Sequence, residues 1–183
     1  RYDLDCIRYA RLERNSGGAG GFKEGLRRST EDGCDWCWIM DDDVIPLPDA
    51  LEQLLKAQDY LAQRDIEPSF LASYVSSEQG EVMNVPNVST HLSSNGYPDW
   101  CEHLPAGLVR IESATFVSLL INAKAVHAIG LPISDYFLWG DDGEYTTRLT
   151  SYYGPAFICG MSKVLHLRAM ARPISTIEET DAS

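Results

Sequence analysis

The chain has 183 residues, which suits one domain with a sizeable core. At 44% hydrophobic and 23% charged residues it lies in the ordinary globular range, excluding a disordered, collagen-like or coiled-coil chain. Asp and Glu number 27 against 15 Lys and Arg, a net charge of −12, so a nucleic-acid backbone is excluded as the main partner, and a polyanionic ligand needs an intervening cation.

Residues 5–13 (DCIRYARLE) alternate as a strand does, and a glycine-rich bend over 15–21 leads into a short helical run over 22–29. Residues 36–40 (WCWIM) form a continuous apolar run of strand length that ends in Asp41-Asp42-Asp43. Pro48 with Asp49 and Glu52 starts a helix to about Arg64, with an apolar stripe of Leu51, Leu54, Leu55 and Leu61. Residues 69–75 read as a strand, and 76–110 as an irregular, turn-rich insertion or active-site loop. A strand is expected over 113–121, then a helix over 123–129 capped by Asn122 and closed by Gly130 and Pro132. A helix over about 143–152 and one or two strands within 156–167 complete the pattern, and the tail 172–183 carries none. Strands separated by helices predict an α/β sandwich. The longest apolar run, 114–121, is strand-sized, so no transmembrane segment is expected.

Five cysteines, at 6, 34, 37, 101 and 159, are odd in number and irregular in spacing. That argues against a disulfide framework and for a reducing compartment. Cys34-Asp35-Trp36-Cys37 has the spacing of half a zinc site or of a redox motif. No second such pair completes it, and it runs straight into an apolar strand, so the two are read as buried thiols.

Three segments carry chemistry. Asp41 and Asp43 point the same way in extended chain, at the carboxyl end of a buried strand, where two adjacent carboxylates call for a hard divalent cation; the alternative is a solvated acidic turn. Asn15 to Phe22 (NSGGAGGF) fails the dinucleotide fingerprint, since Lys23 stands where a third glycine would, yet a glycine-rich turn opening a helix can bring N–H groups to phosphate. Trp139-Gly140-Asp141-Asp142-Gly143-Glu144 sets three carboxylates and an indole at a helix start, suited to a general base beside a sugar-stacking aromatic, or simply to a helix cap. His166 sits among apolar strand residues, where a histidine is usually a core residue.

In this order the segments resemble the family 2 inverting glycosyltransferases of GT-A fold, in the galactofuranosyl- and rhamnosyltransferase-like branch. The resemblance is carried by residues 15–22, by WIMDDDVIP at 38–46, by LWGDDGEYTTRL at 138–149 and by His166, which follows Asp142 by 24 residues. It implies a mostly parallel mixed sheet flanked by helices, with residues 1–171 as the catalytic domain. Asp41, Asp43 and His166 would hold Mn²⁺ or Mg²⁺. Asn15, Gly17, Gly18, Gly20 and Gly21, with Asp41 and Asp42, would meet the donor, a UDP- or dTDP-sugar. Asp142 would be the catalytic base, and Trp139, Asp141 and Glu144 would bind the acceptor, a glycan or lipid-linked saccharide in cell-wall or polysaccharide synthesis. A cytoplasmic site of action at or near the inner membrane face is implied. The chain opens about one βα unit later than the family pattern, so the strand that cradles the nucleotide base is expected to be missing from it. The rival readings are a sugar-nucleotide nucleotidyltransferase and an inactive carbohydrate- or nucleotide-binding domain of the same fold.

Overall fold

Period-two alternation in the central strands sets the layers of this protein. The computed structural model describes residues 7–168. In chain order the elements are α1 (Gly17–Glu31), β1 (Trp36–Met40), β2 (Val44–Pro46), α2 (Ala50–Ala62), β3 (Phe70–Ser76) and the two-residue strands β4 (Val82–Met83) and β5 (Asn87–Val88). Then follow β6 (Leu108–Ser113), β7 (Ser118–Asn122), α3 (Ala123–Ile129), α4 (Asp141–Tyr152) and β8 (Ala156–His166). Phe70, Ala72, Leu119, Ile121 and Ala156 face Leu26 of α1, Ala125 and Val126 of α3, and Tyr145 and Leu149 of α4. Their neighbours Leu71, Leu120 and Phe157 face the other way, onto Leu54, Ala57 and Leu61 of α2. The sheet is thus sandwiched between three helices and one.

The central path runs β1-β7-β3-β8-β6-β5. The sheet is mixed and flanked by helices, as expected, but among the described residues its pairing is not mostly parallel: β3 with β8 is parallel and the other pairs are antiparallel. The reason is topological. Strands β1, β3 and β8 share one direction, yet β7 inserts between β1 and β3 and runs against both. A buried polar chain crosses these strands: Trp38 Nε1 donates to Ser118 Oγ (3.0 Å), which meets Ser73 Oγ (2.9 Å), which meets Ser162 Oγ (2.9 Å). Each hydroxyl is partnered, so the chain avoids the cost of an unmatched buried group. Ser162 lies in a bulge where the β3–β8 register shifts after Ser73.

Several sequence expectations need correction. Residues 7–13 form no strand and are exposed; alternation makes a strand only where a sheet edge pairs with it. Residues 5–6 and the tail 172–183 lie outside the described residues. Helix α1 begins at Gly17, five residues earlier than the apolar pattern suggests, because Asn15 Oδ1 accepts the Gly17 N–H (3.0 Å) and starts the turn. The run 113–121 is split at 114–117, where Phe116 is buried not in a strand but between Phe22 (rings 4.8 Å apart) and Tyr145 (6.2 Å). In α2 the buried stripe is Ala50, Leu54, Ala57 and Leu61, while Leu51 and Leu55 are exposed. The Asn122 cap forms as expected, accepting the Lys124 N–H at 2.9 Å.

Candidate functional site

The acidic triplet follows β1 directly, and strand register brings it to the far end of the chain. Short β2 pairs antiparallel with β8, Val44 opposite His166, and the Leu167 N–H donates to the Asp43 carbonyl at 2.9 Å. Asp43 is therefore held beside a histidine more than a hundred residues away in sequence. One ligand atom from each of Asp41, Asp43 and His166 lies within 4.8 Å of the other two.

The chemistry of this set fits a hard cation. His166 is 2% exposed, and its Nδ1 sits 2.9 Å from Asn84 Oδ1, an oxygen that can only accept, so the ring N–H points there. Its Nε2 faces Asp43 Oδ1 at 3.1 Å. A neutral ring would set a lone pair against a carboxylate in that contact, which a cation between them resolves; a hydrogen bond on the other ring nitrogen is the usual way a ligating imidazole is oriented. Burial pushes the Asp41 carboxyl above its ordinary range; His166 opposes this and the neighbouring carboxylates Asp43 and Asp142 add to it.

A cavity of about 250 Å³ opens beside the cluster, lined among others by Gly18, Asp41, Trp139, Asp141, Asp142 and Arg168. Asp141 and Asp142 form the first turn of α4, and Asp142 Oδ1 accepts the Gly143 N–H at 2.6 Å. Both carboxyls are pushed up, chiefly by burial. Thr146 fixes this turn: its hydroxyl lies 2.6 Å from the Asp142 carbonyl and accepts the Ala114 N–H at 3.1 Å. The 114–117 segment in turn offers its Val117 carbonyl to the Asp41 N–H (3.4 Å), so the two acidic groups share one support.

The glycine segment is used differently from expectation. Gly17 has φ +67°, and a Cβ there would stand 2.0 Å from the Phe137 carbonyl oxygen. Next to it the Ala19 N–H donates to that same oxygen at 3.0 Å, and Lys23 Nζ reaches Ser134 Oγ at 3.3 Å. The first turn of α1 thus clasps the loop that presents Trp139 and Asp142. Gly18 lines the cavity, but Asn15, Gly20 and Gly21 do not, and Gly21 is exposed on another surface. Asp42 is exposed beside the cluster and does not line the cavity. Glu144 is taken by Arg148 (2.6 Å), whose guanidinium also donates to the Ile129 carbonyl (2.9 Å), so it braces α4 against α3.

Asn84 and Arg168 are among the cavity residues that escaped sequence reasoning. Asn84, at φ +47°, orients His166 from a turn after β4, with no motif around it. Arg168 lies two residues past His166, where β8 has ended and the Arg168 N–H turns back to the His166 carbonyl (2.9 Å), so no spacing rule flags it.

A family model described as glycosyl transferase family 2 matches residues 2–66. The chain is similar to the galactofuranosyltransferase GlfT1 of Mycolicibacterium smegmatis (29% identity over 159 residues, 86% of this chain and 52% of the relative). It is also similar to GlfT1 of Mycobacterium tuberculosis H37Rv (28% over 160 residues, 86% and 51%). The chain therefore spans about half the length of these relatives. Among solved structures it resembles GalNAc-T7 with UDP, GalNAc and Mn²⁺ (TM-score 0.62, 14% identity, 87% of this chain and 32% of that one). It also resembles A197 from STIV (TM-score 0.54, 12%, 93% and 86%). At such identities the likeness is one of fold. The match over residues 2–66 and the galactofuranosyltransferase relatives make this chain similar to glycosyltransferase family 2, and the shared architecture gives it a GT-A fold.

Proposed function

We propose that the protein transfers a sugar from a UDP- or dTDP-sugar to a glycan or lipid-linked saccharide, with inversion at the anomeric carbon and with Mn²⁺ or Mg²⁺ as cofactor. The observation that carries this reading is the convergence of Asp41, Asp43 and His166 within 4.8 Å, beside a cavity that also holds Asp142. In it, Asp41, Asp43 and His166 hold the cation, which when bound would offset the charge gathering on the departing diphosphate. Asp142 takes the proton of the attacking acceptor hydroxyl from the face opposite that leaving group. Its raised proton affinity brings it closer to a working base than an ordinary surface aspartate. Trp139 supplies an aromatic face for the acceptor sugar, and buried Asp141 a hydrogen-bond acceptor for its hydroxyls. The relatives' names favour a galactofuranosyl donor. The four described cysteines are free thiols, which suits the cytoplasm, and no described helix is long and apolar enough to cross a membrane.

The test is calorimetric titration of UDP and dTDP, with Mn²⁺ and with EDTA, on this chain. Nucleotide binding should strengthen by about tenfold or more with Mn²⁺, and Asp43→Ala should remove most of that gain. Equal affinity in Mn²⁺ and EDTA would overturn the metal role.

A further inference from the structure

We propose that Cys34 and Cys37 are a reversible dithiol–disulfide pair, closed by a small-molecule disulfide oxidant of the glutathione class. The two sulfurs stand 3.3 Å apart. Cys37 is fixed in β1 opposite Ile121 and is 5% exposed. Cys34 lies in the irregular stretch between α1 and β1, half-buried, and lines a wide depression of about 900 Å³ that opens to solvent. Its thiol reaches the Ser29 carbonyl at 2.9 Å, which leaves the Cys37 S–H to point at the Cys34 sulfur. One accessible thiol, one shielded thiol and contact between them are what intramolecular exchange requires. A disulfide needs the sulfurs at about 2.05 Å, so the two side chains must close roughly 1.3 Å, and Cys34 is the one that no strand ladder holds.

The steps balance. Cys34 loses its proton, and its thiolate attacks one sulfur of glutathione disulfide, breaking that S–S bond and expelling a glutathione thiolate, which takes up a proton. Cys37 then loses its proton and attacks the Cys34 sulfur of the mixed disulfide, expelling the second glutathione. The protein surrenders two electrons and two protons, and one glutathione disulfide becomes two glutathiones. Burial pushes the Cys37 thiol up to about 12, so the more accessible Cys34 makes the first attack. The bridge would tie the end of α1 to the start of β1. Cys37 is four residues before Asp41, about 13 Å along a strand, so closure lies outside the reacting centre.

The experiment equilibrates the full chain in glutathione buffers of rising disulfide fraction, quenches with acid and an alkylating agent, and maps every cysteine by mass spectrometry. The peptide holding both residues should lose two hydrogens, with the bridged form exceeding the Cys34–glutathione adduct by about tenfold or more, because the second thiol is already in contact. Exposed Cys101 should show only the adduct, and reductant should restore both thiols. In Cys34→Ser, Cys37 should stay unmodified; in Cys37→Ser, Cys34 should carry glutathione as Cys101 does. Should the buried Cys37→Ser variant not fold, the wild-type map and Cys34→Ser decide the matter. Two free thiols, or a lasting adduct on Cys34, in the buffer that modifies Cys101 would overturn the proposal. A bridge from Cys34 to Cys6 or Cys101 would overturn it equally.

Discussion

Replacing Gly17 with alanine tests whether α1 clasps the loop that presents the candidate base. Two costs add. At φ +67° a side chain costs about 1–2 kcal/mol. The new Cβ also falls 2.0 Å from the Phe137 oxygen, so the loop must withdraw and the Ala19 N–H to Phe137 bond is lost, about 1 kcal/mol more. The sum is about 2–3 kcal/mol. Gly33 is the control for backbone strain alone: it has φ +80° and nothing within 4 Å of its added Cβ, so Gly33→Ala should cost about 1–2 kcal/mol. Gly21 is exposed within the helix with open space around it, and Gly21→Ala should stabilise by up to about 1 kcal/mol. Urea unfolding measures all three. With a slope of about 3 kcal/mol per M, Gly17→Ala should lower the midpoint by about 0.7–1 M. Amide exchange in residues 134–142 should quicken in that variant alone. A Gly17→Ala no costlier than Gly33→Ala, with exchange unchanged, would refute the clasp.

In EDTA, Asp142→Asn should be more stable than the parent at pH 7, because burial and Asp141 raise the folded carboxyl's proton affinity, so its ionised form opposes folding. That advantage should be full above the raised folded value and vanish below the unfolded 3.8, as thermal melts across pH can check. In transfer assays the same variant should lose about 10²–10⁴-fold in turnover, with metal and donor binding nearly unchanged. Asp141→Asn should mainly raise the acceptor KM, and a reversal of these roles would move the base to Asp141. Buried Asp99 binds Arg110, His91 Nδ1 (2.9 Å) and Ser89 Oγ (3.1 Å), so Asp99→Asn should destabilise by about 2–3 kcal/mol, below the fully buried range because Arg110 is about a third exposed. Denaturation that leaves its midpoint unmoved would show the 87–101 segment to be held by other contacts.

Much of the candidate site was legible in the sequence because its chemistry is local. WCWIM before Asp41-Asp42-Asp43 gives a buried strand ending in carboxylates, and Gly140 before Asp141 and Asp142 gives acids at a helix start, whatever the rest of the chain does. The alternation of Phe70–Ser76 and the Asn122 cap are likewise properties of a few adjacent residues. Tertiary structure alone decided what depends on distant pairing. His166 looks like a core residue by its neighbours, and only the β2–β8 register sets it against Asp43, with Asn84 holding its other nitrogen. Two of the glycines at 17–21 could equally have met a phosphate, but the approach of Phe137 assigns Gly17 to the loop, and the turn of the helix carries Gly21 away from the cavity. Residues 7–13 alternate well, yet among the described residues no strand pairs with them, so a signal that is correct locally yields no element. Periodicity fixes which face of an element is apolar, whereas only the packed chain determines what that face meets.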